Sequence, residues 1–209
     1  MARGSRTQLA APSTDAVRER ILAAAERCIG RYGVRKTTMD DIASEIGLSR
    51  PSVYRHFADR DDLLIELIAR RARPLTERAN KSMSRHSGFS DQIIEGILYI
   101  AEHGRHDPLM RYVVDPDSTN LGRRMIASGT SELLRAELFD SCLDAAVANG
   151  ELPRGLRRAD LHLWFGNLAK MVMRGLEDGE ADLKRYRSIL RQFVAPAFAD
   201  ADAHVEAHR

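Results

Sequence analysis

The chain has 209 residues, 44% of them hydrophobic and 30% charged, with a formal net charge of +2 and two cysteines. This composition fits one or two ordinary folded domains and excludes a fibrous or disordered chain. No apolar run is long enough to cross a bilayer, and the basic segment 1–12 lacks the apolar core of a secretory signal, so a cytoplasmic protein without membrane contact is expected.

In chain order, residues 1–13 read as a flexible basic arm carrying Arg3 and Arg6, placed either along a nucleic-acid groove or free in solvent. Val17, Ile21, Ala24, Ala25, Cys28 and Tyr32 share one face of a helix over 14–32, which Gly33 ends. Thr38 then caps a second helix, with Asp41 placing negative charge in its first turn. Met39, Ile42, Ala43 and Ile46 form the buried side of that helix. Gly47 supplies the left-handed turn, Leu48 fills the corner, and Ser49 caps a third helix with Pro51 in its first turn. Two short helices joined so tightly form a helix-turn-helix, whose second helix can enter a DNA major groove.

Within that second helix Val53 and Phe57 lie four apart and face inward, which turns Pro51, Ser52, Tyr54 and Arg55 outward. Arg50 stands at the helix start, where a guanidinium can bond a guanine edge in two places. Tyr54, His56 and Arg60 suit phosphate contacts, although Tyr54 and His56 are also able simply to pack the head against the next helix. Residues 1–60 hold eleven Lys/Arg against seven Asp/Glu, whereas residues 81–209 hold seventeen against nineteen. The basic excess therefore lies on the segment with the helix-turn-helix.

Asp59 caps a fourth helix that carries Leu63, Leu64, Leu67 and Ile68 and runs to about residue 80, with Pro74 as a potential kink. After a polar connection over 82–90, helices are expected at 90–105, 108–114, 118–127, 130–149, 160–178 and 181–199, followed by a frayed tail at 201–209. No stretch alternates as a strand does, so the fold class is all-α, with about nine to ten helices. Cys28 and Cys142 fall in apolar stripes and read as buried reduced thiols.

The run Thr37-Thr38, Ile42-Ala43, Gly47-Leu48-Ser49, Val53-Tyr54, His56-Phe57, Arg60 and Leu63 resembles the N-terminal signature of tetracycline-repressor (TetR) family regulators, over roughly residues 17–64. The rest of the chain is similar to that family in length, helical layout and pattern of breaks. The resemblance implies a three-helix DNA-binding head over 14–60 and a helical ligand-binding and dimerisation domain over 61–200. By position, the DNA-binding set is Thr38, Ser49, Arg50, Pro51, Ser52, Tyr54, Arg55, His56 and Arg60. Thr38 would bond a phosphate, and Arg60 stands where the family often has lysine.

Two late helices are apolar on more than one stripe and must bury the excess against something. Leu161, Phe165, Leu168, Val172 and Leu176, with Tyr186, Ile189, Leu190 and Phe193, are therefore the expected dimer interface; the resemblance implies a four-helix bundle with a two-fold mate. Ile93, Ile97, Met110, Tyr112, Met125, Leu134, Leu138, Phe139, Cys142, Trp164 and Met171 are the candidates for an apolar ligand pocket. Glu102, His103, His106 and Asp107 invite a metal reading, but they sit at a helix end where such residues also cap, so no metal is expected. Nothing in the chain has the pattern of a catalytic motif or a cofactor loop.

The expected function is thus a sequence-specific, homodimeric transcription regulator on a palindromic operator, a repressor relieved by a small hydrophobic effector. A helical ligand-binding protein and a nonspecific nucleic-acid binder are the alternatives.

Overall fold

The computed structural model describes residues 13–152 and 155–198; the expected basic arm up to Pro12 and the tail lie outside the described residues. All regular structure among the described residues is helical. The elements are α1 (Thr14–Tyr32), α2 (Met39–Glu45), α3 (Arg50–Tyr54), α4 (Arg60–Met83), α5 (Phe89–Gly104), α6 (Pro108–Val114), α7 (Thr119–Ala127), α8 (Thr130–Ala148), α9 (Arg158–Glu177) and α10 (Leu183–Phe193), with short 3₁₀ turns at Pro116–Ser118 and Ala195–Phe198. Two compact units divide between Leu63 and Leu64, within α4.

The first unit closes over a small core. Ile21, Leu22, Ala24, Ala25, Cys28 and Ile29 of α1 meet Met39, Ile42 and Ala43 of α2, and Val53, Phe57 and Leu63 are fully buried. Tyr32 stands outside that core instead of completing the α1 face; it is 49% exposed, with the Arg31 guanidinium over its ring. Polar ties fix the helices around the core. Glu45 of α2 accepts from Arg27 at 2.8 Å and from Arg31, both on α1. The hydrogen bonds from Arg27 and Arg31 hold the Glu45 carboxyl below its ordinary range.

In the second unit α5 packs against α8, α9 and α10. Ile93, Ile94, Ile97 and Leu98 of α5 join Phe139, Leu143, Phe165, Val172 and Leu190 in one buried cluster. Two close approaches depend on glycine. A Cβ on Gly96 would lie 2.7 Å from the Met83 sulfur, and one on Gly175 would collide with the Tyr186 hydroxyl. Side-chain caps start the shorter helices: Asp107 accepts from the Leu109 amide at 2.8 Å and Asp182 from the Arg185 amide at 2.7 Å.

Helix α4 runs through Pro74 to Met83, close to its expected end at about residue 80. One expectation changes here. Helix α10 stops at Phe193 instead of running to 199, because Pro196 has no amide to continue the ladder and disfavours helical backbone at Ala195.

Candidate nucleic-acid interface and ligand cavity

The turn between α2 and α3 is built from backbone bonds. Gly47 adopts φ +66°, the Leu48 amide donates to Ala43 O at 3.0 Å, and the Gly47 amide donates to Ser44 O at 3.3 Å. This paired closure satisfies the last carbonyls of α2 and redirects the chain within three residues. Both helices are capped by side chains. Thr38 Oγ1 accepts from the Asp41 amide at 3.2 Å while Asp41 Oδ2 takes the Thr38 amide at 2.8 Å and the Thr38 hydroxyl at 2.6 Å. Those bonds from Thr38 hold the Asp41 carboxyl below its ordinary value. Ser49 Oγ accepts from the Ser52 amide at 3.3 Å, and Pro51 sits in the first turn of α3.

With Val53 and Phe57 fully buried, α3 turns Arg50, Pro51, Tyr54 and Arg55 to solvent and leaves Ser52 half-buried. Arg50 is held between helices: it donates to Asp40 Oδ2 at 3.1 Å and to the Tyr54 hydroxyl at 3.4 Å, and its guanidinium carbon lies 5.4 Å from the centre of the Tyr54 ring. Ser52 Oγ lies 2.8 Å from Ser49 Oγ and accepts from Arg55 at 3.1 Å. Half-buried His56 receives an Arg18 guanidinium on its carbonyl, and the same guanidinium lies 4.1 Å over the Phe57 ring.

A depression beside α3 is lined by Arg35, Thr37, Thr38, Met39, Asp40, Arg50, Tyr54 and Arg60. Three guanidinium groups and one carboxylate around an open concavity suit an anionic oxygen such as a backbone phosphate. Arg60 also works inside the unit, donating to Thr37 O at 2.8 Å and to Val34 O, which pins the segment leading into the Thr38 cap. The concavity adds Arg35, Thr37, Met39 and Asp40 to the residues expected from sequence. The basic pair Arg35-Lys36 just before the cap is the signal for them in the sequence.

The sequence pattern of the family described as "Bacterial regulatory proteins, tetR family" matches residues 21–67, which contain this entire helix-turn-helix. The helix-turn-helix unit is that of the TetR family. The chain is accordingly a DNA-binding transcriptional regulator. An uncharacterized HTH-type transcriptional regulator of Mycobacterium tuberculosis is 27% identical over 138 residues, 65% of this chain and 69% of that one. An HTH-type transcriptional repressor of the same organism is 40% identical over 68 residues, 32% of this chain and 34% of its own length. The fold is shared with Thermus thermophilus FadR, a TetR-family repressor solved with lauroyl-CoA, at a TM-score of 0.66 and 16% identity over 86% of this chain and 94% of that one.

The second unit of this regulator holds an apolar cavity of about 150 Å³. Met110, Met125, Leu134, Leu138 and Phe139, all expected from sequence, line it alongside Leu75, Ile100, Val113 and Met173. The other pocket candidates stand elsewhere. Ile93, Ile97 and Cys142 belong to the packed core, and Tyr112 is not on the cavity wall. Trp164 packs on Phe165 and Phe198 at ring distances of 5.5 and 5.9 Å, and Met171 faces outward. Burial pushes the Cys142 thiol up to about 12, so it behaves as a small apolar side chain.

The expected interface residues also divide. Leu161, Phe165, Val172, Tyr186 and Leu190 are buried within the chain's own core. Leu168, Leu176 and Ile189 are half-buried, and Phe193 is 68% exposed. The large apolar side chains turned outward on α9 are instead Leu163, Trp164 and Met171. Around Glu102–Asp107, the polar groups serve helix ends: Glu102 pairs with Arg105, His103 stacks on Tyr99 at 4.0 Å and Asp107 caps α6.

Proposed function

We propose that this regulator is a homodimeric repressor that binds a palindromic operator and releases it when a small, largely apolar effector fills the cavity of the second unit. The observation that carries the reading is α3, a capped, outward-facing helix beside a concavity with three arginines.

In this reading Arg50 takes a base edge in the major groove, with Pro51, Ser52 and Tyr54 against the groove wall. Thr38, Ser49, Arg55 and His56 contact the phosphate backbone, and Arg60 contributes both charge and the pinned geometry of the Thr37–Thr38 segment. Two such heads must sit on half-sites about 34–36 Å apart, one helical turn of DNA. The exposed Leu163, Trp164, Met171 and Phe193 are the surface on which a second copy docks.

An effector relieves repression only if it binds one spacing of the heads better than the other. Ile68, Ala72, Leu75 and Thr76 put α4 on the cavity wall, and the same helix begins at Arg60, so α4 is the element that carries the effect. The repressor relative and the FadR structure with lauroyl-CoA support both the sign of regulation and an apolar ligand.

The test is binding to the DNA upstream of the protein's own gene, measured against random duplex at several salt concentrations. Selective, salt-sensitive binding with one dimer's symmetry in the footprint is the expected result. Equal affinity for every duplex would overturn the proposal.

A further inference from the structure

The cavity is not uniformly apolar. Its wall carries two cationic side chains, Arg135 of α8 and Lys170 of α9, and no carboxylate. Thr76 and Ser131 are its other polar side chains. Arg135 Nε is buried without a hydrogen-bond partner, the one such side-chain atom among the described residues. Burial pulls the Arg135 guanidinium below its ordinary value, with only Glu132 opposing the shift. Lys170 is an exposed residue at the rim of the cavity, and its ammonium is pulled down in the same direction, by desolvation and then by the Arg135 charge.

Two like charges held at an apolar wall, one with an unused donor, cost stability in the empty protein. Chains that need only a stable core place methionine or leucine at such positions. The arrangement becomes favourable once a negative group enters, because a guanidinium and an ammonium then share a single anion in a low-dielectric setting. Gly166 reinforces the placement: a Cβ there would lie 2.6 Å from Arg135 Cδ, so the absence of a side chain on α9 is what lets the arginine stem lie against that helix.

We infer that the effector of this cavity is an anionic amphiphile, whose carboxylate or phosphate head is held by Arg135 and Lys170 while its apolar body lies among Leu75, Ile100, Met110, Met125 and Leu138. This rests on the effector-cavity reading and goes beyond it by assigning the head group and the residues that recognise it. A void of about 150 Å³ takes a ring or a short chain as it stands. Three methionines on the wall, Met110, Met125 and Met173, can repack around a longer one.

The full-length protein is titrated calorimetrically with octanoate, octyl phosphate, 1-octanol and octylamine. At least one of the two anions is expected to bind ten-fold or more tightly than octanol, with octylamine weakest; the better anion identifies the head. Arg135→Met and Lys170→Gln should each remove most of that preference while leaving octanol affinity within about two-fold. Arg135→Met should also raise the melting temperature of the ligand-free protein, which a merely structural arginine would not do. Octanol binding as tightly as the better anion would overturn the head-group assignment and leave the effector cavity standing. No binding by any of the four would overturn both. If Arg135→Met fails to fold, Lys170→Gln together with Gly166→Ala, which displaces the arginine stem, separates the same outcomes.

Discussion

The two units of this chain keep their shape by different means. The first, through Leu63, is held at its periphery: a capping box, a glycine turn and carbonyls pinned by Arg60 and Arg18 fix short helices over a thin core. The second is held from within, by long helices that approach at Gly96 and Gly175 around a dense aromatic and aliphatic cluster, with one part left unfilled. A surface that reads DNA needs rigid presentation of a few exposed groups, which local hydrogen bonds supply. A unit that admits a ligand needs a void, and surrounding rigidity is what keeps that void from collapsing.

The contrast yields tests of decreasing size. If outward apolar residues of the second unit join two copies, Leu163→Glu with Phe193→Glu should weaken self-association by at least about 100-fold, or roughly 3 kcal/mol. Sedimentation at several concentrations would report it, and the first unit's helicity should not change. Arg50→Ala should lower the preference for operator over random duplex by about 1–3 kcal/mol while leaving nonspecific affinity nearly intact. A loss equal on both duplexes would reduce Arg50 to a phosphate contact.

Stability tests separate the two kinds of support. Gly175→Ala forces the buried Tyr186 ring aside and should cost about 1–3 kcal/mol in urea unfolding, with the loss confined to the second unit. Thr38→Ala removes a capping box and should cost about 1 kcal/mol in the first unit alone. The pH dependence follows from Asp41 and Glu45, both held below their ordinary values of 3.8 and 4.5. Their contribution is complete above that range and disappears as pH falls through the lower folded values. Glu45→Gln should therefore flatten the acid limb of the stability curve measured by denaturant midpoints. The smallest effect concerns Cys142, whose thiol at about 12 should resist alkylation at pH 8 until the protein is unfolded.

Legibility from sequence differs between the units for the same physical reason. Thr38, Gly47, Ser49 and Pro51 act on their neighbours in the chain, so spacing alone places α2, the turn and α3. Asp107-Pro108 likewise announces the start of α6. The role of Arg60 at Val34 and Thr37 is hidden, because those carbonyls are more than twenty residues away. Apolar periodicity marks α9 as buried but cannot tell a face turned to the chain's own core, such as Phe165 and Val172, from one turned outward, such as Leu163 and Met171. Arg135 and Lys170 give no signal in the sequence, since a cation on a helix ordinarily marks solvent.

Arg50 in the free protein is already held by Asp40 and Tyr54. A long side chain tethered in this way has surrendered much of its rotational freedom before any duplex arrives, so the ordering cost of forming a specific contact is reduced. Any acceptor that Arg50 takes from a duplex, a phosphate or a guanine edge, must first displace the Asp40 carboxylate. In the proposed reading, base contact by Arg50 is therefore an exchange of an internal acid for an external acceptor.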